Sequence, residues 1–174
     1  ASIYLWVASV VMPAIYLFVY YDAGLYADFG INLYYFIIAI YGWAAWRYGF
    51  SLSKGRHDQE LEISHTPARL WLPLSALTML LLAAIAWILI RFTDSTVPYA
   101  DAFTTALSVV GMWLLARKYI EQWWVWLVVD VASVALYIYK DLHFTAVLYA
   151  LYAVVAIFGY RKWKELMNKQ NERR

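Results

Sequence analysis

LWLPLSALTMLLLAAIAWILI, residues 70–90, runs 21 positions between Arg69 and Arg91 without one charged side chain. Wound as an α-helix, a run of that length matches the hydrocarbon thickness of a bilayer, about 30 Å. It is not alone. Ala1–Tyr21 carries no charge over 21 residues, Phe29–Trp46 none over 18, and Leu142–Tyr160 none over 19. The whole chain of 174 residues is 64% hydrophobic and 15% charged, with ten Trp, sixteen Tyr and eight Phe. A soluble domain of this size cannot hide that much apolar surface. The chain therefore reads as an all-α, polytopic membrane protein.

Working outward from residues 70–90, the spacing predicts six helices: about Ile3–Tyr21, Leu25–Trp46, Leu70–Ile90, Ala102–Ala116, Trp123–Tyr139 and Leu142–Tyr160. The fourth is short and is expected to extend back toward Tyr99, with Pro98 at or before its start. Tyr21-Asp22-Ala23-Gly24 and Tyr139-Lys140-Asp141 read as tight turns, and Thr93–Tyr99 as a short loop. Gly49–Arg69 is the one long connection, solvated and with a surface helical turn. Pro13 and Pro73 lie inside predicted spans, where each removes a backbone donor.

Basic residues set the orientation. Alternating the loops places Arg47, Lys54, Arg56, Arg69, Arg117, Lys118, Arg161, Lys162, Lys164, Lys169, Arg173 and Arg174 on one side. Only Arg91 and Lys140 fall on the other. By the positive-inside rule the long loop and the C-terminus are expected to be cytoplasmic. Asp22, Asp28, Asp94, Asp101 and Asp141 lie near the opposite face and read as wet loop or helix-end residues.

Other classes are excluded. With no Cys there is no disulfide scaffold. The net charge of +2 follows from topology and does not signal nucleic acid. The first residue is Ala, already inside a hydrophobic run, so a signal peptide is a poor reading and a chain missing its true N-terminus a better one. The sequence holds no phosphate loop, no HExxH motif and no Gly-x-Ser-x-Gly elbow, so no enzyme, cofactor or metal is expected. His57 and His65 in the long loop do not make a metal site.

The segment IYGWAAW, residues 40–46, returns as IFGYRKW, residues 157–163. An offset of 117 residues aligns Ile40, Gly42 and Trp46 with Ile157, Gly159 and Trp163. Backward without a gap it aligns Ala39 with Ala156, Tyr35 with Tyr152, Leu25 with Leu142 and Tyr20 with Tyr137. Gly42 and Gly159 then mark close helix approach. The helix at Ala102–Ala116 has no counterpart before Ala1. Symmetry thus predicts parallel three-helix repeats joined by a linker helix, a 3+1+3 plan whose first helix is absent from this chain. The expected parts are an incomplete first repeat at residues 1–47, loop plus linker helix at 48–98, the second repeat at 99–163 and a cytoplasmic tail at 164–174. Parallel repeats point to a transporter whose halves move about an axis along the membrane normal.

The predicted fifth span carries the chemistry. Asp130 lies mid-helix, where a carboxylate must face protein, water or ligand. Trp126 stands four residues before it, Trp123 seven before and Tyr137 seven after, near one helical face. An acid with aromatic planes suits a flat, polar, cationic ligand. A hydrogen bond to a neighbouring helix would also satisfy Asp130, and Trp123 and Trp124 also suit an interfacial belt. Asn32 and Gln122 are placed to reach a central cavity. Ser108, Ser133 and Thr145 read as satisfying backbone or lining helix contacts, and His143 as interfacial.

These stretches together resemble the PnuC family of bacterial vitamin-precursor transporters. The strongest likeness runs from Lys118-Tyr-Ile-Glu-Gln-Trp-Trp-Val-Trp126 through Asp130, Leu136-Tyr-Ile-Tyr-Lys-Asp-Leu-His-Phe144 and Ile157–Trp163. The stretches Ala23–Asp28, Tyr34-Tyr35 and Ile40–Trp46 carry it as well. The resemblance implies a seven-helix carrier in the bacterial inner membrane and facilitated diffusion made one-way by a cytoplasmic kinase. It also implies a homotrimer, and nicotinamide riboside as substrate, with thiamine next and riboflavin among relatives. Binding positions carried over from the family are Trp123, Trp126 and Asp130 in its Trp-x-x-Trp-x-x-x-Asn/Asp stretch, with Trp43, Trp46 and Gln122. Residue 130 takes the acidic choice of that pattern. The cationic rings of nicotinamide riboside and thiamine would both pair with Asp130 and indole faces.

Overall fold

The computed structural model of the chain describes residues 26–48 and 61–172, with residues 11, 14, 15 and 17 besides; side chains of the first helix are described from residue 32 to 46. Among the described residues five helices have defined bounds: α1 (Tyr26–Tyr48), α2 (Ala68–Phe92), α3 (Pro98–Ala116), α4 (Gln122–Tyr139) and α5 (His143–Glu172). Of the predicted first span, Val11, Ala14, Ile15 and Leu17 are helical. The rest of it, with Pro13 and the turn at Tyr21–Gly24, lies outside the described residues.

Four helices among the described residues, α2 to α5, are long and apolar enough to cross a membrane. Their outer faces agree with that. Phe144 is 96% exposed and Leu72 81%, a display of large apolar side chains that hydrocarbon surroundings make favourable. The protein is an all-α, polytopic membrane protein. α3 does begin at Pro98, whose fixed φ and missing N–H suit a first helical position. α2 runs on through Pro73.

One expected boundary needs correction. The last helix does not end at Tyr160: the segment after it continues α5 unbroken to Glu172. Its Arg, Lys, Glu, Leu and Met are good helix formers, and no Gly or Pro interrupts them. Most of the long connection, residues 49–60, lies outside the described residues, and the expected surface helical turn with it. In its described part Ser64 makes an isolated parallel bridge to Tyr119, with Ile120 N donating to Ser64 O at 3.0 Å.

The chain divides into two compact units. The first comprises Ala1–Glu62 with Leu115–Lys118. Here α1 buries Ile38, Ala39, Ala45 and Trp46. Arg117 Nη1 donates to the Tyr41 hydroxyl at 3.0 Å. Lys118, in the left-handed region at φ 52°, donates from Nζ to Leu61 O at 2.7 Å. The same ammonium stands 4.5 Å above the Trp46 ring, a cation–π contact.

The second unit comprises Ile63–Leu114 and Tyr119–Arg174. Val110, Leu114 and Tyr119 form a buried cluster, with Leu70, Leu74, Trp113 and Val125 packed on it. α4 and α5 pack along each other. The turn between them is tight, as expected: Leu142 N donates to Tyr137 O at 2.8 Å and Asp141 takes φ 56°. Beside it, Lys140 Nζ reaches both carboxylate oxygens of Asp101, at 2.9 and 3.1 Å. Ser95 Oγ donates to the same carboxylate at 2.7 Å.

At the start of α4 a second polar knot forms. Glu121 accepts from Thr66 N and Thr66 Oγ1, both at 2.9 Å, and its Oε1 lies 2.7 Å from His65 Nδ1. Partial burial pulls this carboxyl upward. The bonds from His65, the Thr66 amide, its own amide and the Thr66 hydroxyl outweigh that and hold it below its ordinary value.

Candidate functional site

The inner stripe of α4 consists of Gln122, Val129, Asp130, Ser133 and Leu136, all buried. These positions recur at helical spacing, so one face of an otherwise apolar helix carries an amide, a carboxylate and a hydroxyl. Asp130 is 5% exposed. Its carboxylate accepts no hydrogen bond and joins no ion pair among the described residues. In hydrocarbon depth such a group marks a place where a polar or cationic partner is expected.

α5 supplies a polar ring. Tyr149 lies close enough to Asp130 to interact with it electrostatically. Tyr137 of α4 stacks on Tyr149 with centroids 5.2 Å apart and planes at 25°. Tyr152 meets Tyr149 edge-on at 5.8 Å and 76°. The fold thus joins two residues singled out in the sequence, Asp130 and Tyr137, through a third that was not. The signal for Tyr149 was present in the repeat: the offset of 117 places it on Asn32.

The two tryptophans diverge. Trp126 packs on α3, where a Cβ at Gly111 would stand 3.3 Å from the Trp126 ring and 3.3 Å from Val125 Cγ1. Trp123 packs on α5. Its ring fills the space a Cβ on Gly159 would take, and it stands edge-on to Trp163 at 5.5 Å and 89°. Gly159 therefore admits an indole between two helices, a particular form of the close approach expected there. Trp124, 53% exposed, faces Tyr160 at 5.2 Å.

Gln122 is 1% exposed, and its amide nitrogen is a buried donor with no partner among the described residues. The indole nitrogen of Trp123 is another. Buried donors of this kind ordinarily find a partner, so two in succession at the mouth of α4 call for one. Ser108 bonds the Thr104 carbonyl at 2.8 Å, a local backbone role.

The remaining candidates lie in the first unit. Trp46 is buried beneath Lys118, while Trp43 and Asn32 are half-buried on α1. Trp46 and its counterpart Trp163 are both buried. Among the described residues no three His, Cys, Asp or Glu side chains are grouped to hold a metal ion.

Known proteins resemble this chain in sequence and in fold. The sequence profile described as nicotinamide mononucleotide transporter matches residues 1–165. The nicotinamide riboside transporter PnuC of Escherichia coli (strain K12) is 25% identical over 179 residues, covering 89% of this chain and 72% of that one. The nicotinamide riboside transporter PnuC of Neisseria mucosa is 24% identical over 171 residues, covering 94% of this chain and 64% of its own length. The riboflavin/roseoflavin transporter RibM of Streptomyces davaonensis is 26% identical over 132 residues, covering 72% and 58%. The crystal structure of the vitamin B3 transporter PnuC superimposes with a TM-score of 0.68 at 24% identity, over 96% of this chain and 74% of that one, a likeness of fold.

Proposed function

Since the chain belongs to the nicotinamide mononucleotide transporter family, the PnuC carriers, we propose that this membrane carrier of vitamin precursors moves nicotinamide riboside by facilitated diffusion. The observation that carries this reading is Asp130, a buried carboxylate in the middle of a membrane helix without a hydrogen bond or ion pair among the described residues. A pyridinium ring brings the positive charge that such a group lacks, and indole and phenol faces add stacking and cation–π attraction. Gln122 and Trp123 supply unsatisfied donors for ribose or amide oxygens. Trp126, Tyr137, Trp43, Trp46 and Asn32 complete the proposed set.

Alternating access gives the site its constraints. A carrier must release what it binds, so Asp130 contributes through differences between the two open states rather than through tight holding. The proposed architecture is the 3+1+3 plan, with halves rocking about a ligand near the bilayer midplane. Its basic loops and C-terminus face the cytoplasm of a bacterium, in the inner membrane. A cytoplasmic kinase then traps the riboside as a phosphate, and three copies assemble. Thiamine is the second reading, because its thiazolium is also a flat cation for Asp130.

Uptake into proteoliposomes tests the reading. Labelled nicotinamide riboside should equilibrate across the membrane without an ion gradient and exchange with unlabelled riboside on the far side. Accumulation above equilibrium driven by an ion gradient contradicts facilitated diffusion. Exchange of thiamine alone keeps the mechanism and replaces the substrate.

A further inference from the structure

A concavity has Trp123 in its lining but neither Asp130 nor Trp126. It measures about 350 Å³ and opens between α4 and α5. Leu127 and Ile157 form an apolar wall, Trp124 and Tyr160 an aromatic one, and Arg161 and Lys164 stand at the rim. Ile157, Tyr160, Arg161 and Lys164 succeed one another at spacings of three, one and three, so they share one side of α5.

The position matters. Tyr160 ends the uncharged run of α5 and Arg161 is its first charge, so the rim sits where the helix leaves hydrocarbon for headgroups. Neither Arg161 nor Lys164 makes a hydrogen bond or ion pair among the described residues, and both are exposed. Lysine and arginine at that depth attract anionic lipid phosphate, and basic hollows between membrane helices are suited to such headgroups. Indole and phenol rings favour the same layer. Below the rim, Leu127 and the 43%-exposed Ile157 offer apolar surface to an acyl chain.

We infer that this hollow is a binding site for one anionic phospholipid, with the phosphate on Arg161 and Lys164 and an acyl chain along Leu127 and Ile157. The assignment does not depend on which leaflet this end occupies, and the hollow shares Trp123 with the proposed solute set. A lipid seated there touches both α4 and α5, the helices that hold Asp130 and Tyr149. It is therefore placed to steady the pair on which the transport site is built.

Native mass spectrometry of the full chain, offered equimolar phosphatidylglycerol and phosphatidylethanolamine, tests the site. Phosphatidylglycerol should be retained preferentially. Arg161→Gln with Lys164→Gln should weaken that retention roughly tenfold or more. Lys162→Gln with Lys169→Gln, which removes equal charge from positions outside the hollow, should leave it unchanged. A tenfold molar excess of inorganic phosphate should not displace the lipid. Undiminished retention in the first pair overturns the site. Equal loss in the second pair overturns it too, because the attraction would then be general. Displacement by inorganic phosphate overturns the lipid assignment and makes the hollow a free-anion site.

Discussion

Gly159 of α5 and Trp123 of α4 share one space: the Trp123 ring occupies the volume that a Cβ on residue 159 would need. The ring is flanked by α5 and stands edge-on to Trp163. Gly159→Ala is expected to lower stability by about 1–3 kcal/mol through overpacking. Adding Trp123→Ala to that variant should recover part of the loss. Thermal unfolding of purified protein in detergent, with both single variants and the double, measures the coupling.

Gly111 and Trp126 make a gentler version of the same contact, at 3.3 Å. Gly111→Ala asks Trp126 to give by a few tenths of an ångström and should change stability little. Gly111→Leu should push the indole away from α3 and weaken solute binding more than it weakens the fold. Comparing the binding constant with the unfolding midpoint for each variant separates the two effects.

The knot at Glu121 gives a pH dependence. Its folded value lies below the ordinary carboxylate value of 4.5. Folding therefore favours the charged form. The stabilisation is complete above the ordinary value and is lost as pH falls through the lower folded one. Glu121→Ala should destabilise by about 1–3 kcal/mol near neutral pH, because it leaves the Thr66 donors without their acceptor. The gap between wild type and variant in thermal unfolding should stay constant from about pH 6 to 8. It should close as the solution is taken below 4.5.

Much of this fold was legible because charge and length are read by the bilayer itself. The uncharged run from Leu70 to Ile90 and the Tyr139-Lys140-Asp141 turn needed no tertiary information. The continuation of α5 past Tyr160 was missed for a physical reason: charge marks where a helix leaves the membrane, not where it ends. The bonds from His65 and Thr66 to Glu121 cross 55 or 56 residues, and no local pattern encodes them. At the candidate site, Asp130 stood out because a mid-span carboxylate is conspicuous. Tyr149 did not, because one tyrosine among sixteen carries no signal until the repeat register is applied to it. The divergence of Trp123 and Trp126 was equally hidden, since it depends on Gly111 and Gly159 lying on different helices.

On the far side of the second unit, Asp101 binds Lys140 through both oxygens. Both side chains are about a quarter exposed, at 25% and 27%, so the pair is partly shielded from water. A double-mutant cycle of Asp101→Asn and Lys140→Met should give a coupling of about 1 kcal/mol. A coupling indistinguishable from zero would mean that the turn between α4 and α5 holds without this pair.

Asp130 is the residue on which the functional account turns, and calorimetric binding to the full chain tests it most directly. Nicotinamide riboside, thiamine and riboflavin are titrated in parallel into wild type and Asp130→Asn, each checked for folding. The expected result is saturable riboside binding to the wild type, weakened roughly tenfold or more in the variant. Undiminished riboside binding to Asp130→Asn, in protein that folds as the wild type does, would contradict the proposed role of this carboxylate.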